Sequence, residues 1–313
     1  VKEAAMCKQT IWLQRCLSAI AVFAALLAVR PAPAQESLKV VATFSILADF
    51  VHNVGGDRVA VHALVGANGD VHVYQPTPAD AKLVAGAKVV VVNGLGYEGW
   101  LDRLIRASAT KLKPIVASEG IKPRRSSGHG HDHGHSHGQF DPHAWQSVAN
   151  AKIYVINIRN ALIAADPAGK PAYEANAAAY LAKLEELERE VRQTAARIPP
   201  ERRRILTSHD SFGYFAEAYG LEMLAAQGVS TGTQPSAKEI AALIRQIKAR
   251  KIGGVFMENI TDPRLIERIA KETGARIGGV LYSDALTAAD GPAPTYIDLI
   301  RHNIRMLAAA LVG

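Results

Sequence analysis

The sequence predicts an α/β protein of two lobes, each a parallel-sheet (β/α) sandwich, joined by one long rigid helix. Three observations carry this expectation. Apolar, β-branched runs alternate with helical patterns from residue 39 to the C-terminus, the order that builds parallel sheets. The alternation comes in two sets, separated by the longest helical signal of the chain. The length, 313 residues, exceeds one average domain and suits two lobes with separate cores.

In the first set, Lys39–Phe44 reads as a strand and Ile46–Val54 as a helix stopped by Gly55 and Gly56. Val59–Val65 is a second strand. Pro78, Ala79 and Asp80 open a short helix, with proline in its first turn. Lys88–Asn93 holds four consecutive valines and reads as a strand buried on both faces. Tyr97–Ala109 is a helix and Lys113–Ala117 a fourth strand. The next stretch, Gly120–Phe140, is rich in Gly, Ser and His and has no apolar face, so a mobile surface loop is expected there.

Tyr173–Arg197 is the long helix. Leu181, Leu184, Leu187, Val191 and Ala195 recur at three- and four-residue spacing, and Pro199-Pro200 stops it. The second set follows: strands at Arg204–Thr207, Glu222–Ala226, Ile252–Met257 and Ile277–Leu281, with helices at Phe212–Tyr219, Ala237–Arg250, Pro263–Thr273 and Tyr296–Leu311. The expected division is an N-terminal lobe over 35–172, a linking helix over 173–198 and a C-terminal lobe over 199–313.

Residues 1–34 have the pattern of a signal peptide. Lys8 and Arg15 precede an unbroken small-and-apolar run, Cys16–Val29, and Ala32-Pro33-Ala34 supplies a cleavage site before Gln35. Export to the periplasm is expected. The only two cysteines, Cys7 and Cys16, fall in this leader, so the mature part has no disulfide and no thiolate ligand. Three of the seven net positive charges also lie there; the remainder is too weak and scattered to argue for nucleic acid.

Histidine carries the chemistry. Of eleven histidines, His129, His131, His133, His135 and His137 sit in one run over 128–138, an auxiliary site for transition metals. A loop of that kind discriminates poorly among metals, so a fixed site is expected elsewhere. His72, in Gly69-Asp70-Val71-His72, and His143, in Asp141-Pro142-His143, lie between elements. His209, in Thr207-Ser208-His209-Asp210, directly follows a strand. Ligands of open α/β sheets gather at the carboxyl ends of strands. His52, His62 and His302 fall within a helix, a strand and the last helix, where packing or surface roles are expected.

The two Asp-x-His segments, Thr207-Ser208-His209-Asp210, Gln234-Pro235-Ser236 and Tyr282-Ser283-Asp284-Ala285-Leu286 together resemble the cluster A-I substrate-binding proteins of zinc and manganese ABC importers. The resemblance runs from Val40 to the last helix and includes the position of the histidine run. It implies a metal in the interlobe cleft, with His72 and His143 supplied by the first lobe and His209 and Asp284 by the second. In that family a carboxylate as third ligand accompanies manganese and a histidine accompanies zinc, so His209 implies zinc as the transported ligand. Three nitrogens and one oxygen suit a tetrahedral zinc with bonds of about 2.0–2.2 Å. Asp70, Asp210 and Glu258 are candidates for orienting the histidines through their outer ring nitrogens. The implied partners are an ABC permease of the inner membrane and a periplasmic zinc chaperone, with the protein itself a monomer. A manganese-specific member and a zinc metalloenzyme are the competing readings. Against the enzyme, Asp284 would close the fourth position, and neither Gly-x-Ser-x-Gly nor His-Glu-x-x-His occurs.

Overall fold

Two four-stranded parallel sheets organise the molecule, with strand orders β2-β1-β3-β4 and β6-β5-β7-β8. The computed structural model describes residues 36–126, 140–250 and 252–312. The expected signal peptide and the five clustered histidines lie outside the described residues.

The first sheet is built from β1 (Leu38–Phe44), β2 (Val59–Val65), β3 (Val89–Val92) and β4 (Ile115–Val116). Val40, Val41 and Ala42 of β1 and all four valines of β3 are buried, because helices cover both faces. Helix α1 (Ser45–Gly55) follows β1, α2 (Pro78–Gly86) follows β2 and α3 (Leu101–Ser108) follows β3. A capping box starts α2: the Thr77 hydroxyl accepts the Asp80 N–H, and the Asp80 carboxylate accepts the Thr77 N–H at 2.6 Å.

Helix α3 begins at Leu101, four residues later than its pattern suggests. The intervening turn is held open by Glu98, whose carboxylate accepts the N–H groups of Asn93 (2.6 Å) and Gly94 (3.2 Å) and the Thr43 hydroxyl (2.7 Å). Gly94 has φ 86°, and a Cβ there would meet a Val116 methyl at 2.5 Å, so only glycine fits.

Helix α4 (Val148–Ala165) is absent from the elements expected from the sequence. Its buried residues include Val148, Ala151, Tyr154, Val155, Ile158 and Leu162, but further Ile and Ala residues lie around the rest of its circumference. Such a helix has no strong one-sided pattern to find. It packs against α5 (Lys170–Ala196), the linking helix, whose 27 residues span about 40 Å. Pro171 sits in its first turn, and Tyr173, Ala177, Tyr180, Leu184, Leu187, Val191 and Ala195 form its buried stripe.

The second sheet comprises β5 (Arg204–Thr207), β6 (Glu222–Ala225), β7 (Gly254–Glu258) and β8 (Ile277–Leu281). Helices α6 (Gly213–Tyr219), α7 (Ala237–Arg250), α8 (Arg264–Thr273) and α9 (Tyr296–Leu311) flank it. Gly220 and Gly274, both left-handed, end α6 and α8. A large core runs through the first lobe, α4, α5 and α9, whereas Leu206, Ala226, Ile247, Val255, Ile266, Ile269 and Ala270 form a small separate core behind the second sheet. Among the described residues no helix is long and apolar enough to cross a membrane.

Candidate metal centre

Both sheets have the same strand order, so each has a switch point where the crossovers diverge, between β1 and β3 and between β5 and β7. The loops leaving these strands face each other across the cleft. His209 directly follows β5, and Glu258 ends β7. Across from them, His72 comes from the loop after β2, and His143 stands just before a single 3-10 turn, Ala144–Gln146. Asp284 follows β8.

The structure brings His72, His143, His209 and Asp284 together, with one ligand atom from each lying within 4.8 Å of every other. Asp284 Oδ2 is the common vertex. It lies 3.2 Å from His72 Nε2, 3.3 Å from His209 Nε2 and 3.6 Å from His143 Nε2. The Nε2 atoms of His72 and His143 face each other at 3.3 Å. Two imidazole nitrogens in that position need a shared proton or a shared cation between them. A tetrahedral ion with bonds of about 2.0–2.2 Å has six ligand–ligand edges of about 3.3–3.6 Å; these four distances lie close to that range, and all six are within 4.8 Å. His143, His209 and Asp284 are fully buried, and the His72 side chain keeps 6% of its exposure. Both Asp284 oxygens and His209 Nε2 take part in no hydrogen bond. Buried polar atoms are rarely left so, and two of them, Asp284 Oδ2 and His209 Nε2, meet in the cluster 3.3 Å apart, which suits a place for an ion.

The outer faces of two imidazoles are held by carboxylates. His143 Nδ1 lies 2.8 Å from Asp141 Oδ1, which also accepts the His143 backbone N–H at 3.0 Å. His209 Nδ1 lies 2.6 Å from Glu258 Oε2 in an ion-pair contact, and Glu258 Oε1 accepts the His209 N–H at 2.9 Å. Each arrangement leaves Nε2 as the inward atom. Asp70 Oδ1 accepts the His72 backbone N–H at 2.9 Å. The Asp210 backbone N–H donates to the Gly228 carbonyl at 3.1 Å.

Asp141 was not singled out by the sequence as an orienting group, although the Asp-Pro-His spacing carries the signal. Its other oxygen accepts Arg124 Nη1 at 3.0 Å. The guanidinium crosses close over Gly213, where a Cβ would meet it at 2.1 Å. Tyr214 stitches this corner: its hydroxyl accepts the Arg124 N–H and donates to the Asp141 carbonyl. Tyr97 has no ligand motif to mark it either. Its buried ring packs edge-on against His72 and tilts against Trp145, with centroids at 4.9 and 5.0 Å.

Charge follows from this geometry. Burial pushes His143 down, but Asp284 and Asp141 outweigh it and bring the imidazole up to about 9. Burial likewise opposes protonation of His209, and Glu258 and Asp284 overcome it, so His209 is raised well above the ordinary value. His72 is lowered, chiefly by burial. Burial would raise Asp284, yet His143 and His209 hold it well below the usual carboxylate range. Without an ion, the site is a carboxylate between two protonated imidazoles, a charge arrangement that a dication can replace.

Two parallel-sheet lobes with a converged imidazole–carboxylate cluster in their cleft define the class: a two-lobed α/β binding protein with its ligand site between the lobes. The family model described as "Zinc-uptake complex component A periplasmic" matches residues 40–310. The chain belongs to this ZnuA family of metal-binding substrate-binding proteins. It is 35% identical over 285 residues to the iron-binding protein YfeA of Yersinia pestis, covering 91% of this chain and 90% of that one. It is 33% identical over 280 residues to the manganese-binding lipoprotein MntA of Halalkalibacterium halodurans, covering 88% and 89%. Among solved structures, the periplasmic zinc-binding protein TroA of Treponema pallidum superposes with a TM-score of 0.81 at 30% identity, over 88% of this chain and 99% of that one.

Proposed function

We propose that this protein captures a single zinc ion in the periplasm through His72, His143, His209 and Asp284, and delivers it to an ABC-type permease. The observation that carries this reading is the buried set of three imidazole nitrogens and one carboxylate oxygen, all within 4.8 Å of one another, with the oxygen 3.2–3.6 Å from each nitrogen. Nitrogen-rich tetrahedral sites favour zinc, and manganese favours more oxygen ligands. Residues 1–34 would serve as the export signal, and the histidine run 128–138 as a weaker auxiliary site. The lobes would divide at 35–172 and 199–313, with 173–198 between them.

A manganese- or iron-binding role is the second reading, favoured by the names of the relatives at 33–35% identity. Metal analysis of the purified protein, followed by competition among zinc, manganese and ferrous iron, separates the two. Zinc should be retained at equal free concentrations. Preferential retention of manganese or iron would overturn the zinc assignment and leave metal capture standing. With Asp284 as fourth ligand the cluster would have no open position of the kind catalytic zinc sites keep, which supports capture over catalysis.

A further inference from the structure

His72 is the ligand that retains exposure, so its edge of the cluster faces the way out of the cleft. The segment beside it, Gly66–His72, belongs to the first lobe and is bonded to the second at three points. The Asn68 N–H donates to the Leu286 carbonyl at 2.8 Å, and the Asn68 side chain accepts from Asn259 at 3.1 Å. The third point is shorter and charged. Asp70 Oδ2 accepts the Thr231 hydroxyl at 2.6 Å, while Asp70 Oδ1 holds the His72 backbone. One carboxylate therefore carries the His72 turn on one oxygen and a second-lobe loop on the other.

The Thr231 loop is itself tied to the opposite ligand. Gln227 donates to the Ser208 carbonyl at 2.9 Å, and the Gly228 carbonyl accepts the Asp210 N–H at 3.1 Å, on either side of His209. The loop also touches the His72 turn at its rim: a Cβ on Gly232 would stand 3.5 Å from a methyl of the exposed Val73. A closed outer ring thus runs from His72 through Asp70 and Thr231 to the segment bearing His209. It crosses the cleft where the metal would have to leave.

We propose that Asp70 and Thr231 form a latch across the mouth of the cleft: positioning residues that set how long the metal stays, without being ligands. This rests on the metal-capture reading above. Opening the mouth requires breaking the Thr231–Asp70 bond, and hydrogen bonds to a charged acceptor are among the stronger ones, so its loss should shorten residence markedly. Thr231 lies on a partly exposed loop and belongs to neither core, so its replacement should leave the fold intact.

The test is the rate at which zinc-loaded protein surrenders its ion to a large excess of chelator, with the cobalt(II) spectrum as a check on the ligand set. Thr231→Val should release zinc roughly tenfold to a hundredfold faster than the unaltered protein, with the cobalt spectrum unchanged. Thr231→Ser, which keeps the hydroxyl, should release at close to the original rate. Release from Thr231→Val at the original rate, failure of Thr231→Ser to restore it, or an altered cobalt spectrum in Thr231→Val would each overturn the latch. Failure of the unaltered protein to retain zinc would instead sink the proposed function, so the two outcomes are distinguishable.

Discussion

The two lobes share a topology but not a solidity. In the first sheet β1 and β3 are almost wholly buried, and the surrounding core continues into α4, α5 and α9. In the second, the central strands β5 and β7 are buried as well, but the core behind them is small and α7 buries only Ile247 along its length. The ligands do not divide evenly between them. Asp284 follows a strand of the second sheet, but its segment is bonded into the first lobe. Trp145 and Gln146 both donate to the Ser283 carbonyl, at 3.0 and 2.7 Å, and the Leu286 N–H donates to Ser45 at 3.0 Å. Mechanically, His72, His143 and Asp284 form a cradle tied to the first lobe, and His209 approaches it from the sheet with the smaller core. A ligand set built this way can be completed by a small shift of one lobe.

The strongest way to break this comparison is to remove the cradle's shared vertex. Asp284→Asn keeps the shape but discards the only negative ligand, which stands within 3.6 Å of all three imidazoles. Removing one partner from a buried charged set costs about 3–5 kcal/mol, so zinc affinity should drop by more than a hundredfold in a chelator competition assay. A drop of tenfold or less would show that Asp284 is no ligand.

Proton linkage tests the same cluster without a mutation. With His143 at about 9 and His209 raised, both imidazoles are charged in the metal-free site at pH 7, while the lowered His72 and depressed Asp284 have no proton to give. Metal binding should therefore expel about two protons, measurable by calorimetry in buffers of different ionisation enthalpy. The sign for stability follows. The raised histidines stabilise the metal-free fold fully below about pH 6.5, and that contribution falls away as the pH climbs through about 9. Metal competes with those protons, so the rise in Tm on adding zinc should grow between pH 6.5 and 9. A constant rise across that window would contradict the charged cluster.

A smaller effect belongs to the outer carboxylates. Glu258→Gln removes the charge behind His209, and outer partners of ligating histidines typically matter tenfold to a hundredfold in affinity. A titration with unchanged affinity would show that His209 is oriented by its backbone alone. Asp141→Asn should show a comparable loss together with a lower Tm, because Asp141 also holds Arg124 on its other oxygen.

Much of this was legible in the chain itself. All eight strands match their apolar runs to within two residues at either end, because β-branched runs between glycine and proline signals are local information. β4 is shorter than its run by two residues at the start and one at the end. The four clustered side chains could be named from short motifs. The partners that complete the site could not. Asp70–Thr231, Arg124–Asp141 and Tyr214–Arg124 join residues 161, 17 and 90 positions apart, and no periodicity reports such meetings. Helix α4 escaped because its apolar residues surround it, and the start of α3 was misplaced because Glu98 binds the preceding turn.

The smallest expected effect concerns how far the lobes move. The linking helix has no glycine or proline after Pro171, and sharp helix bends need such a break. Its buried stripe packs into the large core, and its polar side is tied by Lys152–Glu185 and Arg301–Glu190. A hinge of tens of degrees has nowhere to act. The second sheet, with its small core, can adjust locally, and amides in thinly packed regions exchange sooner than those in a continuous core. Hydrogen exchange on zinc-free and zinc-loaded protein should therefore show protection gained over 66–72 and 204–281, and none in β1, β3 or α5. In His209→Ala the cradle remains but its tie to the second sheet is gone. Zinc should then still bind, more weakly, and the protection over 204–281 should vanish. If that protection persisted in His209→Ala, the second lobe would be answering through some route other than His209, and the division into cradle and closing ligand would be wrong.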